Sequence, residues 1–363
     1  MRKLASIRRI KDIQPIEGAD VIERITIDGW HCVSKKGEFT VDDLAVYFEI
    51  DSFLPASDQR FEFLKKSGVK KDPAGTERIR VRTVRLRKQI SQGIALPLNL
   101  FPELVDAVEG DDVTEQLNVI KYERPEPKCT NAAGNFPSFI PKTDEERVQN
   151  IFDTVKCEYK GHYFLPTLKM DGSSMTVAFI HKDSELAVDQ YVAEDKALPV
   201  DRGYIVVCSR NLQLTVDWNS HFWKALENND TLKKILRLQV SYFQTNDFAV
   251  QGEVCGPGIN GGREKLVNFR FFAFNLYDIG NQTYIPYNTA ERQFRIYGVE
   301  SVRSYNPVLI DNFDTVDDVL AYADGPSINN DNREGIVFKL SSTHHRPFSF
   351  KAISNRYLME HKE

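Results

Sequence analysis

The stretch KMDGSS, residues 169–174, lies between two apolar runs, YFLP at 163–166 and MTVAFI at 175–180. The second run has the composition of a buried strand. Gly172 permits a tight turn in which a ligand can come close to the backbone. The segment therefore predicts a lysine, Lys169, held between two buried segments and beside a ligand-binding turn.

Lys169 is a candidate nucleophile only if it loses its proton. The ordinary pKa of a lysine is about 10.4, so the free amine is a very small fraction at neutral pH. Burial and nearby cations lower that pKa and expose the lone pair. We therefore expect Lys169 to be uncharged and aimed at an electrophile. A KxDG segment also occurs by chance at a surface lysine before a turn, so its weight comes from its companions.

Five companion segments follow in order: SRN at 209–211, QGE at 251–253, FFAFN at 271–275, REGIV at 333–337 and SFK at 349–351. Each one alone is more simply an ion pair, a turn, plain core or a surface charge. In this order they resemble the covalent nucleotidyltransferase superfamily of ATP-dependent ligases and capping enzymes. Within it the chain resembles the T4 RNA ligase 2-like RNA ligases, in the Deinococcus and Naegleria branch with an added N-terminal OB domain. The resemblance covers nearly the whole chain and includes SQG at 91–93, FPSF at 136–139 and KTDE at 142–145.

The resemblance assigns the nucleotide-binding residues. Lys169 is implied to carry the AMP, with Asp171 and Gly172 beside it. Arg210 is implied to contact the ribose and, after adenylation, the nucleic-acid end. Glu253 is implied to accept a ribose hydroxyl. An aromatic ring is implied to stack on adenine, for which Phe274 aligns best and Phe271 is the second candidate.

The resemblance also assigns the metal and phosphate contacts. Glu334 is implied to hold a hydrated Mg²⁺ or Mn²⁺, with Asp171 as a further ligand. Such a cation prefers oxygen ligands and keeps several waters, so one or two carboxylates suffice. Lys351 is implied to contact the α-phosphate of ATP. Ser349 stands where the family usually has a second lysine, and Lys339 is expected to supply the missing charge.

The function implied is an ATP-dependent RNA ligase that joins a 3′-hydroxyl to a 5′-phosphate end, through lysyl-AMP and an adenylated 5′ end. Nicked duplexes are the expected substrate, in RNA repair. The chain ends a few residues after Lys351, which leaves no room for the C-terminal OB domain of DNA ligases and capping enzymes. A DNA or mixed DNA/RNA nick ligase is the first alternative. A non-catalytic OB-type RNA-binding protein is the second, because Leu168 and Ser349 depart from the family pattern.

Residues 1–121 read as short strands separated by turns, for example 21–27, the turn Asp28-Gly29, 31–34 and 44–50. They predict an OB-like barrel. Residues 122–141 are rich in Pro, Asn and Gly and predict a linker. Residues 142–363 are expected to form an ATP-grasp-like adenylation domain of antiparallel sheets with helices, which makes the chain an α+β protein. Thr143 and Glu146 predict a capping box before a helix, and 220–238 predicts another helix.

A basic run extends from Lys65 to Lys88. Arg78, Arg80 and Arg82 alternate with aliphatic residues, so a strand would place the three guanidinium groups on one face. Such a row is explained if phosphates meet it, and otherwise by a solvated outer face. The nucleic-acid contacts expected from this run are Arg78, Arg80, Arg82, Arg85 and Arg87.

The bulk composition limits the remaining classes. The net charge is −5, so any nucleic-acid contact must be local. The five cysteines are scattered, which disfavours zinc and suits a reducing compartment. The pair His344-His345 is expected in a loop. Neither a signal peptide nor a bilayer-spanning run is evident, and we expect an intracellular monomer, cytoplasmic or nuclear, with no obligate protein partner.

Overall fold

The computed structural model describes residues 3–123, 131–244, 246–341 and 347–360. The chain falls into two compact units. The first consists of the residues up to 126 together with those from 358 onward, and the second consists of residues 127–357. The first part of the predicted linker, residues 124–130 with Cys129, lies outside the described residues, as does the pair His344-His345. Within the described residues, no helix has the length and apolar character that crossing a membrane requires.

The first unit is built from short antiparallel strands. Its described strands are β1 (Ala5–Arg9), β2 (Asp12–Pro15), β3 (Ile22–Ile27), β4 (Trp30–Lys35), β5 (Leu44–Phe48), β6 (Ser52–Pro55), β7 (Val69–Lys71), β8 (Glu77–Arg80), β9 (Thr83–Leu86), β10 (Gln89–Gln92), β11 (Ile94–Pro97) and β12 (Ile120–Lys121). They pair in the orders β1-β5-β11, β2-β3-β4, β9-β10 and β12-β6-β8-β7. Its 3-10 helices are Gln59–Ser67, Leu98–Leu100 and Pro102–Leu104.

Alternation of apolar and polar residues explains these strands. In β3 every second residue is buried, and the strand returns through the predicted turn at Asp28-Gly29 so that Ile27 pairs with Trp30. The strands predicted at 21–27 and 31–34 are confirmed as β3 and β4, and the one predicted at 44–50 is confirmed as β5 except that it ends at Phe48. Gly93 has a φ of +96°, and a Cβ there would clash with the Tyr47 ring and the Phe48 carbonyl. Only glycine allows β11 to pass so close to β5.

The second unit mixes strands and helices. Its described strands are β13 (Ala132–Asn135), β14 (Glu146–Arg147), β15 (Tyr163–Lys169), β16 (Ser173–His181), β17 (Leu198–Val200), β18 (Gly203–Cys208), β19 (Leu212–Leu214), β20 (Phe248–Cys255), β21 (Arg270–Asp278), β22 (Thr283–Tyr284), β23 (Val308–Leu309), β24 (Gly335–Leu340) and β25 (Ser349–Ile353). The described α-helices are α1 (Val148–Glu158), α2 (Asp189–Val192), α3 (His221–Glu227), α4 (Thr231–Leu238), α5 (Tyr287–Tyr297), α6 (Val316–Ala323) and α7 (Asn355–Glu360). Short 3-10 segments lie at Asn228–Asp230, Ile259–Gly262 and Ile310–Asn312, and a π-helical turn at Gln239–Phe243.

Two sheets organise this unit. The larger has the order β13-β19-β18-β16-β20-β21-β22, with β17 paired to β18. The smaller has the order β14-β25-β24-β15-β23 and is antiparallel except for β14 and β25. One face of the larger sheet packs on α3, α4 and α5 through a core that includes Trp223 and Phe294, and one face of the smaller packs on α1 and α6. The other faces of the two sheets meet through contacts such as that of Leu168 with Phe272, and the candidate site lies there.

Three local predictions were wrong. Helix α1 begins at Val148 after Arg147, not after Thr143, and its N-cap makes no side-chain hydrogen bond because Glu146 already belongs to β14. Residues 220–238 form two helices, because Asn229 and Asp230 adopt left-handed backbone angles. The described part of the predicted linker is structured, since β13 pairs with β19 and Ile140 is buried.

Candidate active site

Lys169 is the last residue of β15, where the strand pairs with Gly335 of β24. Its Nζ donates a hydrogen bond of 2.8 Å to Oε1 of Glu334, the residue that precedes β24. A Cβ at Gly335 would clash with the Ala352 carbonyl, so glycine lets β24 lie close against β25. The pairing of two strands thus brings together two residues that are 165 positions apart in the sequence.

Glu253 lies on β20 of the larger sheet and is close enough to Lys169 to affect its charge. It pairs with Ser174 of β16, three positions beyond Asp171. A Cβ at Gly172 would clash with the Val254 carbonyl and lie 2.8 Å from Glu253 Cγ. Gly172 is therefore required for close approach between its own backbone and β20, whereas the sequence predicted close approach of a ligand.

The electrostatics of Lys169 differ from the expectation. Burial alone would lower its pKa, but Glu334, Glu253 and Asp171 outweigh burial and hold the pKa of Lys169 above its ordinary value. Burial raises the pKa of Glu253 to about 8 despite the neighbouring lysine, and burial also raises the pKa of Glu334. This arrangement does not contain the predicted uncharged amine, because Nζ donates to Glu334, and the neighbouring Glu253 and Asp171 also favour the charged form.

Lys351 and Arg210 converge on a shared carboxylate. Lys351 pairs with Val337 on β24 and donates to Asp144 Oδ1 at 3.0 Å, while Arg210 Nη2 lies 3.7 Å from Asp144 Oδ2. Burial lowers the pKa of Lys351, and Asp144 opposes that shift. The sequence predicts no role for Asp144, although it lies in the segment 142–145 that resembles the family. Lys351 and Arg210 together form an anion-binding position, which the carboxylate of Asp144 occupies.

The aromatic residues of β21 lie on two faces. Phe271 is 1% exposed and belongs to the helix-covered core, where its ring lies under Gly252. Phe272 instead pairs with Glu253 and packs beside Leu168, and Phe274 is half-buried on that side. The prediction of Phe271 as a nucleotide contact is therefore wrong. Because side chains alternate between the two faces of a strand, Phe272 and Phe274 lie on one face and Phe271 on the other. Glu253, which pairs with Phe272, indicates which of these faces is the one at the site.

Two family profiles match the chain. An OB-fold domain family matches residues 4–98, and the RNA ligase family matches residues 163–353. The chain belongs to the RNA ligase family. The predicted α+β fold, an N-terminal OB-like domain before a ligase domain of antiparallel sheets and helices, is confirmed.

Solved structures of an RNA ligase from Naegleria gruberi are similar over the whole ligase. A mutant of that enzyme with AMP and Mn is 40% identical, has a TM-score of 0.83, and is matched over 99% of both chains. A mutant with ATP and Mn is 39% identical, with a TM-score of 0.84 and the same coverage. The enzyme with PPi is 39% identical, with a TM-score of 0.82, over 100% of the ligase and 99% of that chain. The comparison with curated protein sequences finds no match.

The contacts of Asp171 in the ligase do not match its predicted role as a metal ligand. Arg263 Nε lies 3.3 Å from Oδ2, Tyr357 donates to the same oxygen at 3.0 Å, and Asn260 donates to Oδ1 at 2.7 Å. Both carboxylate oxygens are thus engaged by protein donors. In this structure Asp171 links the turn after Lys169 to the segment of Asn260 and Arg263 and to Tyr357.

Lys339 pairs with Ser349 across β24 and β25, so the residue expected to supply charge lies directly opposite the serine. Its Nζ donates to the Phe274 carbonyl at 2.7 Å and to Asn275 Oδ1 at 2.5 Å, and it lies 4.5 Å from the centre of the Tyr287 ring. Burial lowers the pKa of Lys339 to about 8. One side of a cavity of about 300 Å³ is lined by Lys339, Ser349, Asn275 and Tyr287.

The basic run of the first unit is not a single open face. Arg78 is 5% exposed and forms an ion pair of 2.6 Å with Asp72, so its prediction as a phosphate contact is wrong. Arg80 is bound to Asp51 at 2.7 Å. Arg82 is half-buried and donates to the Ser67 carbonyl at 2.8 Å, whereas Arg85 and Arg87 are exposed.

Proposed function

We propose that this ligase uses ATP to join RNA ends, a 3′-hydroxyl to a 5′-phosphate, through AMP bound covalently to Lys169. The observation that carries the proposal is the position of Lys169, which lies beside Glu334 and Glu253 in one cleft. Residues 142–363 would carry the adenylation chemistry and residues 1–121 would bind nucleic acid. Nicks in duplex RNA are the proposed substrate, inside the cell, in the cytoplasm or nucleus.

ATP is the proposed nucleotide because the Naegleria gruberi enzyme has been solved with ATP and Mn and with AMP and Mn. The half-buried ring of Phe274 would stack on the adenine, and Glu253 would accept a hydrogen bond from the ribose. Lys351 and Arg210 would exchange Asp144 for the α-phosphate, whose two non-bridging oxygens can accept hydrogen bonds from both cations.

Glu334 and Glu253 also fit a hard divalent cation, because both present carboxylate oxygens beside Lys169. Among the residues that the structure describes, no group of three or more His, Cys, Asp or Glu side chains forms a complete metal cage. Waters and phosphate oxygens would therefore complete the coordination of Mg²⁺ or Mn²⁺ at Glu334. When bound, the cation supplies positive charge that stabilises the transferring phosphoryl group and lowers the pKa of the neighbouring amine.

The proton of Lys169 is the first requirement of the reaction. Its Nζ already donates to Glu334, and once that carboxylate holds the cation the ammonium would lose its stabilising partner and release its proton to solvent. The lone pair then forms a bond to the α-phosphorus, and pyrophosphate leaves with the electrons of the broken P–O bond. An RNA 5′-phosphate next displaces Lys169, which regains a proton, and a 3′-hydroxyl finally displaces AMP.

The first test is covalent labelling. The purified ligase, incubated with ATP labelled on the α-phosphate and with Mn²⁺, should acquire label through an acid-labile P–N bond. Lys169→Ala should acquire none, whereas Lys160→Ala, a change at an exposed lysine, should label like the wild type. An unlabelled wild type would leave only the nucleic-acid binder, and labelling by GTP would indicate capping chemistry.

The second test concerns the nucleic acid. Nicked duplexes with RNA on the 3′-hydroxyl side should be sealed faster than duplexes with DNA there. Equal rates would favour the mixed DNA/RNA nick ligase instead.

A further inference from the structure

The hairpin formed by β9 and β10 has two basic residues at its tip. Leu86 pairs with Gln89, so the turn consists of Arg87 and Lys88 alone. Both have positive φ angles, 49° and 70°. A two-residue turn with two positive φ angles is of type I′, for which Asn-Gly and Gly-Gly are favoured. Two long cationic side chains in this conformation are uncommon, and such strain is found mostly at functional positions.

The cations of this hairpin are exposed and uncompensated. Arg85, Arg87 and Lys88 are all exposed, and none makes a side-chain hydrogen bond or ion pair with another described residue. Elsewhere in the unit the arginines are paired, Arg78 with Asp72 and Arg80 with Asp51. The positive charge of the hairpin is therefore available to an anionic partner from outside.

An apolar strip lies beside these charges. Val84 and Leu86 are two positions apart on β9, so they share a face, and they are 45% and 42% exposed. An acidic protein surface would offer carboxylates without a reason for this strip. The RNA backbone offers both chemistries, phosphates for the cations and ribose carbons for the aliphatic side chains.

We propose that the β9–β10 hairpin is a contact surface for the sugar-phosphate backbone of the RNA substrate. Arg87 and Lys88 at the tip bind phosphates while Val84 and Leu86 lie against ribose, and Arg85, which alternates with them on β9, lies on the opposite face. The inference rests on the proposed function, to which it adds the element that holds RNA. It also removes Arg78 and Arg80 from the predicted contact set, because their guanidinium groups already have carboxylate partners.

The test replaces the turn with a better one. Arg87→Asn with Lys88→Gly removes two charges and installs the pair that type I′ turns favour, so the thermal midpoint should stay or rise. The affinity for a nicked RNA duplex, titrated without ATP at several KCl concentrations, should fall about tenfold or more in 0.1 M salt. The slope of log K against log salt should become shallower by about 2.

Lys35→Gln with Lys36→Gln is the matched control, since it removes two exposed cations from another turn of the same unit. It should keep the affinity and salt slope of the wild type. The proposal is overturned if the hairpin variant binds RNA like the wild type, or if both double variants weaken binding equally.

Labelling by ATP provides a separate measurement. The hairpin variant should acquire AMP at the wild-type rate, because the change is confined to the first unit. A wild type that binds the duplex but never acquires AMP would refute the proposed function and leave the hairpin contact standing. A variant that acquires AMP and binds RNA with unchanged affinity would refute the hairpin contact alone.

Discussion

Arg263 and Asp171 form an ion pair, with Arg263 Nε 3.3 Å from Asp171 Oδ2. The same guanidinium donates through Nη2 to the carbonyl of Asn332 at 2.7 Å. Asp171 is two residues from Lys169, and Asn332 is two residues from Glu334. One arginine thus bridges the segments that carry the proposed nucleophile and its partner, and the planar fork makes both contacts at once.

Arg263→Lys should slow self-adenylation by about tenfold to a hundredfold, because a misplacement of about 1 Å has this effect on a positioned reaction. The rate at saturating ATP should fall while the KM for ATP changes little. Tyr357→Phe removes a single donor to Asp171 and should have a smaller effect on the same rate. An Arg263→Lys enzyme with the wild-type rate and an unchanged thermal midpoint would show that the bridge does not position Lys169.

Phe271 and Phe274 of β21 should respond differently to substitution. Phe271→Ala removes a ring from the helix-covered core and should lower the free energy of unfolding by about 3–5 kcal/mol. Phe274→Leu should change stability less and raise the KM for ATP by about threefold to tenfold, the size of a lost stacking contact. Thermal unfolding and labelling kinetics of both variants separate these effects. An unaltered KM in Phe274→Leu would remove Phe274 from the nucleotide site.

The elements that the sequence predicted well are those with local signals. Strands β3 and β4 have alternating burial and a turn between them, and β5 is a continuous buried run. Lys169, Glu253 and Glu334 lie in segments with a recognisable order. The elements that it missed depend on contacts distant in sequence. The sequence shows that Arg78 alternates with Ile79 and so predicts an exposed side chain. It does not show the ion pair that Arg78 forms with Asp72. Asp144 has no local signal that would connect it to Lys351, 207 positions away.

The helix predictions failed for a related reason. A capping box is a pattern of two residues, and Thr143 and Glu146 satisfy it in sequence. In the fold Glu146 pairs with Phe350 of β25, so the chain is extended where the cap would form. The carboxyl of Glu146 accepts hydrogen bonds from Asn150 and the Arg147 backbone instead. Strand pairing here prevails over a local capping preference worth about 1 kcal/mol.

Glu253 should make stability depend on pH. Its pKa in the fold is about 8, above the ordinary value of 4.5, because burial disfavours the carboxylate. The group therefore stabilises the fold fully below about pH 4.5, and this contribution is lost as the pH rises through 8. Glu253→Gln cannot ionise, so the variant should gain stability relative to the wild type between pH 5 and pH 8.5. Thermal midpoints of both proteins across this range would show it, and parallel curves would contradict the raised pKa.

Asp144 should compete with the phosphate of the nucleotide. Its carboxylate binds Lys351 at 3.0 Å and lies 3.7 Å from Arg210, and these are the two cations proposed to hold phosphate. Asp144→Asn keeps the shape and removes the charge, so both cations become available to the ligand. The KM for ATP in the labelling reaction should fall several-fold, as expected when a charged contact worth about 1 kcal/mol no longer has to be broken. Asp144→Glu, which keeps the charge, should leave the KM near the wild-type value. A higher KM in Asp144→Asn would mean that Asp144 orders Lys351 and Arg210 for the nucleotide, since loss of that order would weaken ATP binding.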